Sequence, residues 1–169
     1  VSLGADVTDL AVGDAVFGTA DGSFAEYAVA DAGKLARIPA GIGFDEAAAI
    51  PVSGLTALEA VREHGLVEPG HRVLVIGASG GVGGYAVQIA AALGAEVVGV
   101  ASAAKADFVR SLGAVRCLDY ATSDVTALPE RYDVVIDING RLPIGRLERI
   151  LTPAGALVIV GGENGGALT

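Results

Sequence analysis

The residues best suited to chemistry form a run of small ones, Gly-Ala-Ser-Gly-Gly-Val-Gly at positions 77–83. The run follows an apolar stretch at residues 73–76 and opens a segment with helical periodicity. Without a Cβ, Gly80 and Gly81 let the backbone approach a pyrophosphate, and the free N–H groups of a helix start attract its charge. The spacing therefore predicts phosphate binding at a strand-to-helix turn. The alternative is a glycine-rich turn that binds nothing.

A second candidate site lies at the end of the next predicted strand, where residues 100–105 read Val-Ala-Ser-Ala-Ala-Lys. A dinucleotide site that prefers NAD places Asp or Glu about 20 residues past the glycines, to bind the ribose hydroxyls. This stretch has no carboxylate, whereas Ser102 and Lys105 suit a 2′-phosphate. Lys105 is predicted on the first turn of a helix, where a cation is unfavourable without a nearby anion. The pattern favours NADP, and the alternative for Lys105 is a solvated surface lysine.

Alternating strands and helices from Arg72 onward must position these residues. Strands are predicted at residues 73–76, 97–100, 116–120, 134–136 and 157–160. Helices are predicted after the glycine run, with Val82, Ala86, Ile89 and Leu93 on one side, and at residues 105–112. This order predicts an α/β fold with a doubly wound, parallel Rossmann sheet.

The preceding residues have other patterns. Residues 1–40 are predicted as short β-structure, including a strand at 24–29 whose alternate residues share one face. Residues 45–65 predict an interrupted helix. Its expected features are an Asp45 cap, a stop at Pro51, a second cap at Ser53, a buried stripe of Leu55, Leu58 and Val61, and an end at Gly65.

Composition excludes several classes of protein. The net charge of −9, with no Lys/Arg cluster, disfavours nucleic acid as a partner. The apolar runs are shorter than a bilayer span, so no membrane partner is expected. Cys117 is the only cysteine, and His64 and His71 have no ligand partner nearby in the sequence, so we expect no bound metal. A single cysteine fits a reducing, cytoplasmic location.

Three stretches together resemble the medium-chain dehydrogenase/reductase superfamily, in its zinc-independent, quinone oxidoreductase-like branch. They are residues 49–57 (Ala-Ile-Pro-Val-Ser-Gly-Leu-Thr-Ala), residues 73–83 and residues 132–137 (Tyr-Asp-Val-Val-Ile-Asp). Residues 13–16 and 22–27 also look like the end of that family's GroES-like catalytic domain. The resemblance implies hydride transfer between NADPH and a small-molecule quinone, enone or aldehyde.

The resemblance also implies cofactor contacts at individual positions. Thr56 matches a threonine near the nicotinamide, and Ser79, Gly80, Gly81 and Val82 match the pyrophosphate loop. The positions that match surroundings of the 2′-phosphate are Ser102, Lys105 and Tyr120. The turns that match loops bordering adenosine and nicotinamide are Asn139-Gly140 and Val160-Gly161.

Departures from the family pattern limit which of the family's residue roles can be assigned to this chain. The four-cysteine lobe of zinc-dependent relatives has no counterpart here, and Val52 stands where they usually have a catalytic zinc ligand. For Asp133 and Asp137, which bracket a strand, we expect structural roles rather than acid/base catalysis.

Family chains are longer than this one, which implies the end of a GroES-like domain at residues 1–45 and a Rossmann domain without its last strand at 46–169. Substrate-pocket residues and homodimer contacts would lie in the other parts. No catalytic residue is therefore predicted, and this chain by itself is expected to bind cofactor without turnover. Two alternatives stay open: an NAD-dependent alcohol dehydrogenase, and a non-catalytic nucleotide-binding module that acts as a redox sensor or binds a partner protein.

Overall fold

A computed structural model of the chain describes residues 1–161. The chain divides into two compact units, Val1–Leu55 and a second that begins at Thr56. The domain boundary predicted between residues 45 and 46 stays a prediction, and residues 162–169 of the predicted second domain lie outside the described residues.

The first unit is built on a short antiparallel pair. Strands β1 (Val16–Gly18) and β2 (Leu35–Arg37) align Val16 with Arg37. Asp14 secures the turn before β1, because its Oδ2 accepts hydrogen bonds from the Ala11 N–H and from Arg37 Nε, both at 2.8 Å. The predicted short β-structure is thus present at these two places.

The strand predicted at residues 24–29 is wrong. These residues form bends and irregular backbone, and the side chains of Phe24, Tyr27 and Val29 are exposed. An alternating pattern becomes a strand only where a neighbour supplies hydrogen bonds and packing covers the apolar face. Neither β1 nor β2 pairs with this segment.

The helix starts differ from those predicted. Helix α1 (Phe44–Ala49) follows Gly43, whose N–H donates to the Glu46 carboxylate at 2.9 Å, so Asp45 lies inside the first turn and is not the cap. Helix α1 ends at Ala49, before Pro51, as predicted. Helix α2 (Pro51–Leu58) begins at this proline, so Ser53 is not its cap. Proline is suited to a first helical position because that residue's N–H has no intrahelical partner.

Helix α2 continues into a wider, π-helical turn at Glu59–His64. The buried residues of α2 and this turn are Pro51, Ala57, Ala60 and Val61. Of the predicted stripe, Val61 is buried and Leu58 is half-buried, but Leu55 is exposed, so its inclusion was wrong. Small alanines allow a closer approach than leucines would. Gly65 follows the last helical residue as predicted, but the left-handed residue is Leu66, with φ of +46°.

The second unit carries the predicted alternation. Its elements are β3 (Arg72–Ile76), α3 (Gly81–Ala92), β4 (Glu96–Ala101), α4 (Ala106–Ser111), β5 (Arg116–Asp119), β6 (Tyr132–Asp137), α5 (Ile144–Leu147) and β7 (Leu151–Ile159). Within the described residues the five strands form one parallel sheet in the order β5-β4-β3-β6-β7. The α/β Rossmann class is confirmed.

Both faces of this sheet are covered, which explains the unbroken apolar run in β3. Val73 and Val75 pack in a core with residues of α3, and Leu74 and Ile76 pack in a second core with Leu147 of α5. The strand order turns at β3, since β4 lies on one side of it and β6 on the other. Ligands of such sheets bind beyond the carboxyl ends of the strands at this switch point.

Several predicted boundaries shift by a few residues. Helix α4 begins at Ala106, so Lys105 is its N-cap residue and the last residue of a 3₁₀ turn, Ala103–Lys105, rather than part of the first α-helical turn. Strand β5 ends before Tyr120, and β7 begins earlier than predicted, at Leu151. In the described part of the chain, no helix has both the length and the apolarity needed to cross a membrane.

Candidate cofactor site

The glycine loop joins β3 to α3 by a tight turn. Gly77 has φ of +85°, which favours glycine, and the N–H groups of Gly77 and Ala78 both donate to the Val100 carbonyl of β4, at 3.1 and 3.0 Å. The Gly80 N–H donates to the Gly77 carbonyl at 3.1 Å. These bonds hold the loop against the carboxyl end of the sheet.

Glycine at position 83 is required by space. A Cβ there would lie 2.1 Å from the Gly77 carbonyl oxygen and 2.9 Å from the Ala78 Cα. A Cβ at Gly80, in contrast, would make only an ordinary contact, 3.4 Å from the same oxygen. Gly83 therefore permits the close packing of helix on strand, while Gly80 leaves the exposed side of the loop open. The first N–H groups of a helix have no intrahelical acceptors, so this loop can receive a pyrophosphate.

A cavity of about 730 Å³ opens beside the loop. It lies at the carboxyl ends of β3 and β4 and reaches the segments that follow β5 and β6. Four of the residues predicted for the cofactor line it: Ser79, Gly80, Tyr120 and Asn139. Its volume is in the range of small-molecule and cofactor sites.

The other predicted residues lie outside the cavity lining. Gly81 and Val82 form the first turn of α3, Ser102 is half-buried after β4, and Lys105 is exposed. Thr56 is half-buried in α2. The remaining three follow β6 or β7: Gly140, Val160 and Gly161.

The loop after β6 is organised by Asp137, which sequence reasoning treated as structural only. Its side chain is 1% exposed, and its Oδ1 accepts hydrogen bonds from the Asn139 and Gly140 N–H groups, both at 3.1 Å. Its carbonyl oxygen accepts from the Val160 N–H at 2.9 Å. Burial raises the pKa of the Asp137 carboxyl, and the bonds from the loop amides oppose that shift. Asp137 thus connects both segments that follow the strands on this side of the cavity.

The cavity also contains charged residues that sequence reasoning missed. Asp124, Arg141 and Arg146 line it. The hydroxyl and N–H of Thr126 lower the pKa of Asp124, followed by the charges of Arg146 and Arg149, so its carboxylate is ionised. Asp124 lies far beyond the spacing of about 20 residues at which a ribose-binding carboxylate is sought. Only the folded sheet brings it to the cavity.

Metal ligands do not converge in the described part of the chain, where no group of three or more His, Cys, Asp or Glu residues could hold an ion. His64 and Val52 are exposed, and His71 Nδ1 accepts the Glu68 N–H at 3.2 Å. The partly buried Cys117 thiol has its pKa raised by burial, which disfavours the reactive thiolate.

Comparison with known proteins agrees with this architecture. Residues 81–169 match a family model described as zinc-binding dehydrogenase. The chloroplast envelope quinone oxidoreductase homolog of Arabidopsis thaliana is 38% identical over 94% of this chain and 52% of its own length. The polyketide synthase GfsB of Streptomyces halstedii is 44% identical over 95% of this chain but only 3% of its own length.

A solved structure, the quinone oxidoreductase from Coxiella burnetii, superposes with a TM-score of 0.85 at 34% identity. The alignment covers 94% of this chain and 52% of that one. The chain thus spans about half the length of its quinone oxidoreductase relatives and a small part of the polyketide synthase.

Proposed function

Since this chain belongs to the zinc-binding dehydrogenase family, in the quinone oxidoreductase-like branch of the medium-chain dehydrogenase/reductase superfamily, we propose that it is the cofactor-binding part of an NADPH-dependent oxidoreductase. The reaction is transfer of hydride to a quinone, an enone or an aldehyde. The observation that carries the proposal is the glycine loop beside the cavity at the switch point of the sheet.

The chain's own residues bind and orient the cofactor. N–H groups at the start of α3 bind the pyrophosphate, and Ser102, Lys105 and Tyr120 bind the 2′-phosphate. Thr56 and the Asn139-Gly140 and Val160-Gly161 segments border the rest of the dinucleotide. When bound, NADPH supplies the hydride. We propose that no metal takes part in this step, as the resemblance to the zinc-independent branch implies.

The Asp124 carboxylate also lines the cavity, and a carboxylate in such a site favours NAD over NADP. The proposed preference for the 2′-phosphate therefore needs a direct test. Alanine at Lys105 should weaken NADPH binding by about 1–3 kcal/mol, the scale of a charged hydrogen bond, and should leave NADH binding unchanged. Calorimetric titration with each cofactor measures both affinities.

The matched control is Lys34→Ala, which removes the chain's other lysine, an exposed residue of the first unit. It should leave both affinities unchanged. Equal losses for NADPH and NADH at Lys105→Ala would remove the phosphate role from this residue. Tighter binding of NADH by the unchanged chain would favour an NAD-dependent alcohol dehydrogenase.

A second candidate function is enoyl reduction within a polyketide synthase. It is favoured by the 44% identity to the Streptomyces halstedii synthase, above the 38% identity to the plant quinone oxidoreductase homolog. In that reaction hydride adds to the β-carbon of an α,β-unsaturated thioester, a proton adds to the α-carbon, and NADPH becomes NADP⁺. The chemistry is that of an enone reductase with a thioester in place of the ketone.

Turnover distinguishes the two candidates. The longest natural reading frame that contains this sequence is mixed with NADPH and either a simple quinone or a crotonyl thioester, and NADPH oxidation is followed. We expect reduction of the thioester at least tenfold faster for a synthase reductase and the reverse for a quinone reductase. Tight NADPH binding without oxidation by either acceptor would instead favour the non-catalytic module.

A further inference from the structure

A second, smaller cavity of about 400 Å³ lies beside the cofactor cavity, and three of its seven lining residues are arginines. The side chains of Arg131, Arg146 and Arg149 line it together with Asp124 and Thr126. We call it the arginine pocket. Asp124 and Arg146 also line the cofactor cavity, so the two cavities share a wall.

The arginine pocket is positive in an acidic chain. Three guanidinium groups face one carboxylate there, although the whole chain carries a net charge of −9. Arg146 and Arg149 are three residues apart, in α5 and the 3₁₀ turn that follows it, so they lie on the same side of the backbone. Cations that line one pocket repel one another, and an anion bound among them relieves that repulsion.

Asp124 offsets only part of this positive charge. Its Oδ1 accepts the N–H and the hydroxyl of Thr126, at 2.9 and 2.7 Å. Its Oδ2 forms an ion pair with Arg146 Nη1 at 4.0 Å, a distance that is too long for a hydrogen bond. The carboxylate is therefore engaged with its own turn, and the arginines keep hydrogen-bonding capacity for another acceptor.

Arg131 is held in place before any ligand arrives. Its Nη1 donates to the carbonyl oxygens of Pro129 and Glu130, at 3.0 and 3.1 Å. These bonds use one nitrogen of the guanidinium, so the other two can still donate. A side chain that is already ordered loses less conformational entropy when it binds a ligand.

We propose that the arginine pocket binds a phosphate monoester. A planar guanidinium donates two parallel hydrogen bonds to phosphate oxygens, and the dianion neutralises the excess positive charge of the pocket. The volume accommodates a phosphate group with a short attached chain. Because the proposed function places the cofactor's 2′-phosphate at Ser102, Lys105 and Tyr120, we assign the arginine pocket to the phosphate of a separate molecule. Entry of the 2′-phosphate across the shared wall is the alternative that the competition experiment decides.

The primary test is titration of the full chain with inorganic phosphate in the absence of cofactor, followed by calorimetry. Saturable binding is expected, and Arg149→Ala should weaken it about tenfold or more, the effect of losing a charge-assisted hydrogen bond. Arg62→Ala is the matched control, because it removes the same charge from an exposed site outside the pocket and should leave binding unchanged. Phosphate binding that is absent at 10 mM, or equally weakened by Arg62→Ala, would overturn the proposal.

A competition experiment identifies the source of the phosphate group. If the pocket receives the 2′-phosphate, NADPH but not NADH displaces inorganic phosphate, and Arg149→Ala weakens NADPH alone. If a separate molecule supplies it, phosphate binds equally in the presence of either cofactor. Phosphate binding is measured without nucleotide, so failure of the proposed NADPH preference would not contradict phosphate binding in the arginine pocket. Likewise, failure of phosphate binding would not contradict the proposed NADPH preference.

Discussion

Alanine at Gly83 is expected to lower the free energy of unfolding by about 3 kcal/mol or more, the upper range for overpacking a closely packed contact. The added Cβ would lie 2.1 Å from the Gly77 carbonyl oxygen. The obstructing atoms belong to the backbone of a turn that is itself hydrogen-bonded to β4, so they cannot move aside as a flexible side chain would. Urea denaturation of the parent chain and the variant measures the loss.

Two other glycines provide controls. A Cβ at Gly145, in α5, would have no atom within 4 Å, so Gly145→Ala should be neutral or stabilising by up to about 1 kcal/mol. Gly80→Ala should leave stability within about 1 kcal/mol while weakening cofactor binding, because its Cβ is tolerated by the fold and obstructs the approach of a pyrophosphate. Parent-like stability of Gly83→Ala would show that α3 is packed less closely than its backbone indicates.

Leucine at Asp137 is expected to destabilise the chain by about 2–4 kcal/mol and to weaken cofactor binding. The substitution removes the acceptor of the Asn139 and Gly140 N–H groups, and a hydrogen bond to a carboxylate contributes about 1.5–3 kcal/mol. The affected loop contributes Asn139 to the cofactor cavity. Asparagine at the same position keeps an acceptor oxygen, so Asp137→Asn should retain most of both properties.

The Asp137→Asn variant should also change how stability depends on pH. Burial raises the pKa of Asp137 in the folded chain above that of an exposed aspartate, about 3.9. The folded state then binds this proton more tightly than the unfolded state. The contribution of Asp137 to the free energy of unfolding is therefore full below about pH 3.9 and is lost as the pH rises through the pKa of the folded state. Asparagine carries no charge at this position, so the stability of the variant relative to the parent should increase as the pH rises above about 4.

Asp133→Asn is the matched control, because Asp133 lies at the other end of the same strand. Its carboxylate accepts the Arg72 N–H at 2.9 Å and the Thr152 hydroxyl at 3.2 Å, away from the cavity lining. The variant should lose some stability without a change in cofactor affinity. A difference between Asp137→Asn and the parent that is independent of pH would contradict the raised pKa.

The Rossmann sheet and its glycine loop could be predicted because their signals are local. The apolar run at β3 reflects burial of both faces of the strand, and the helical spacing after it reflects burial of one face of α3. Gly80 and Gly83 differ in what surrounds them, yet both belong to one short motif whose spacing is readable along the chain. The order of strands and helices then restricted the fold class to one.

Tertiary packing decided the features that sequence reasoning missed or misjudged. The alternating pattern at residues 24–29 is the same whether or not a neighbouring strand exists, so its failure to form a strand is invisible in the sequence. The helix stripe moved to Ala57 and Ala60 because packing distance, not hydrophobicity alone, selects the buried side.

The charged residues of the site depend most fully on the fold. Asp124 and Arg146 follow different strands, and they come together only because parallel strands place their carboxyl ends at one edge of the sheet. Nothing in the spacing of their neighbours marks them as partners. The sequence by itself therefore determined where a phosphate-binding loop forms, since the loop's geometry depends on adjacent residues. Which charges face the cavity was decided by the order of the strands, because that order brings distant loops together.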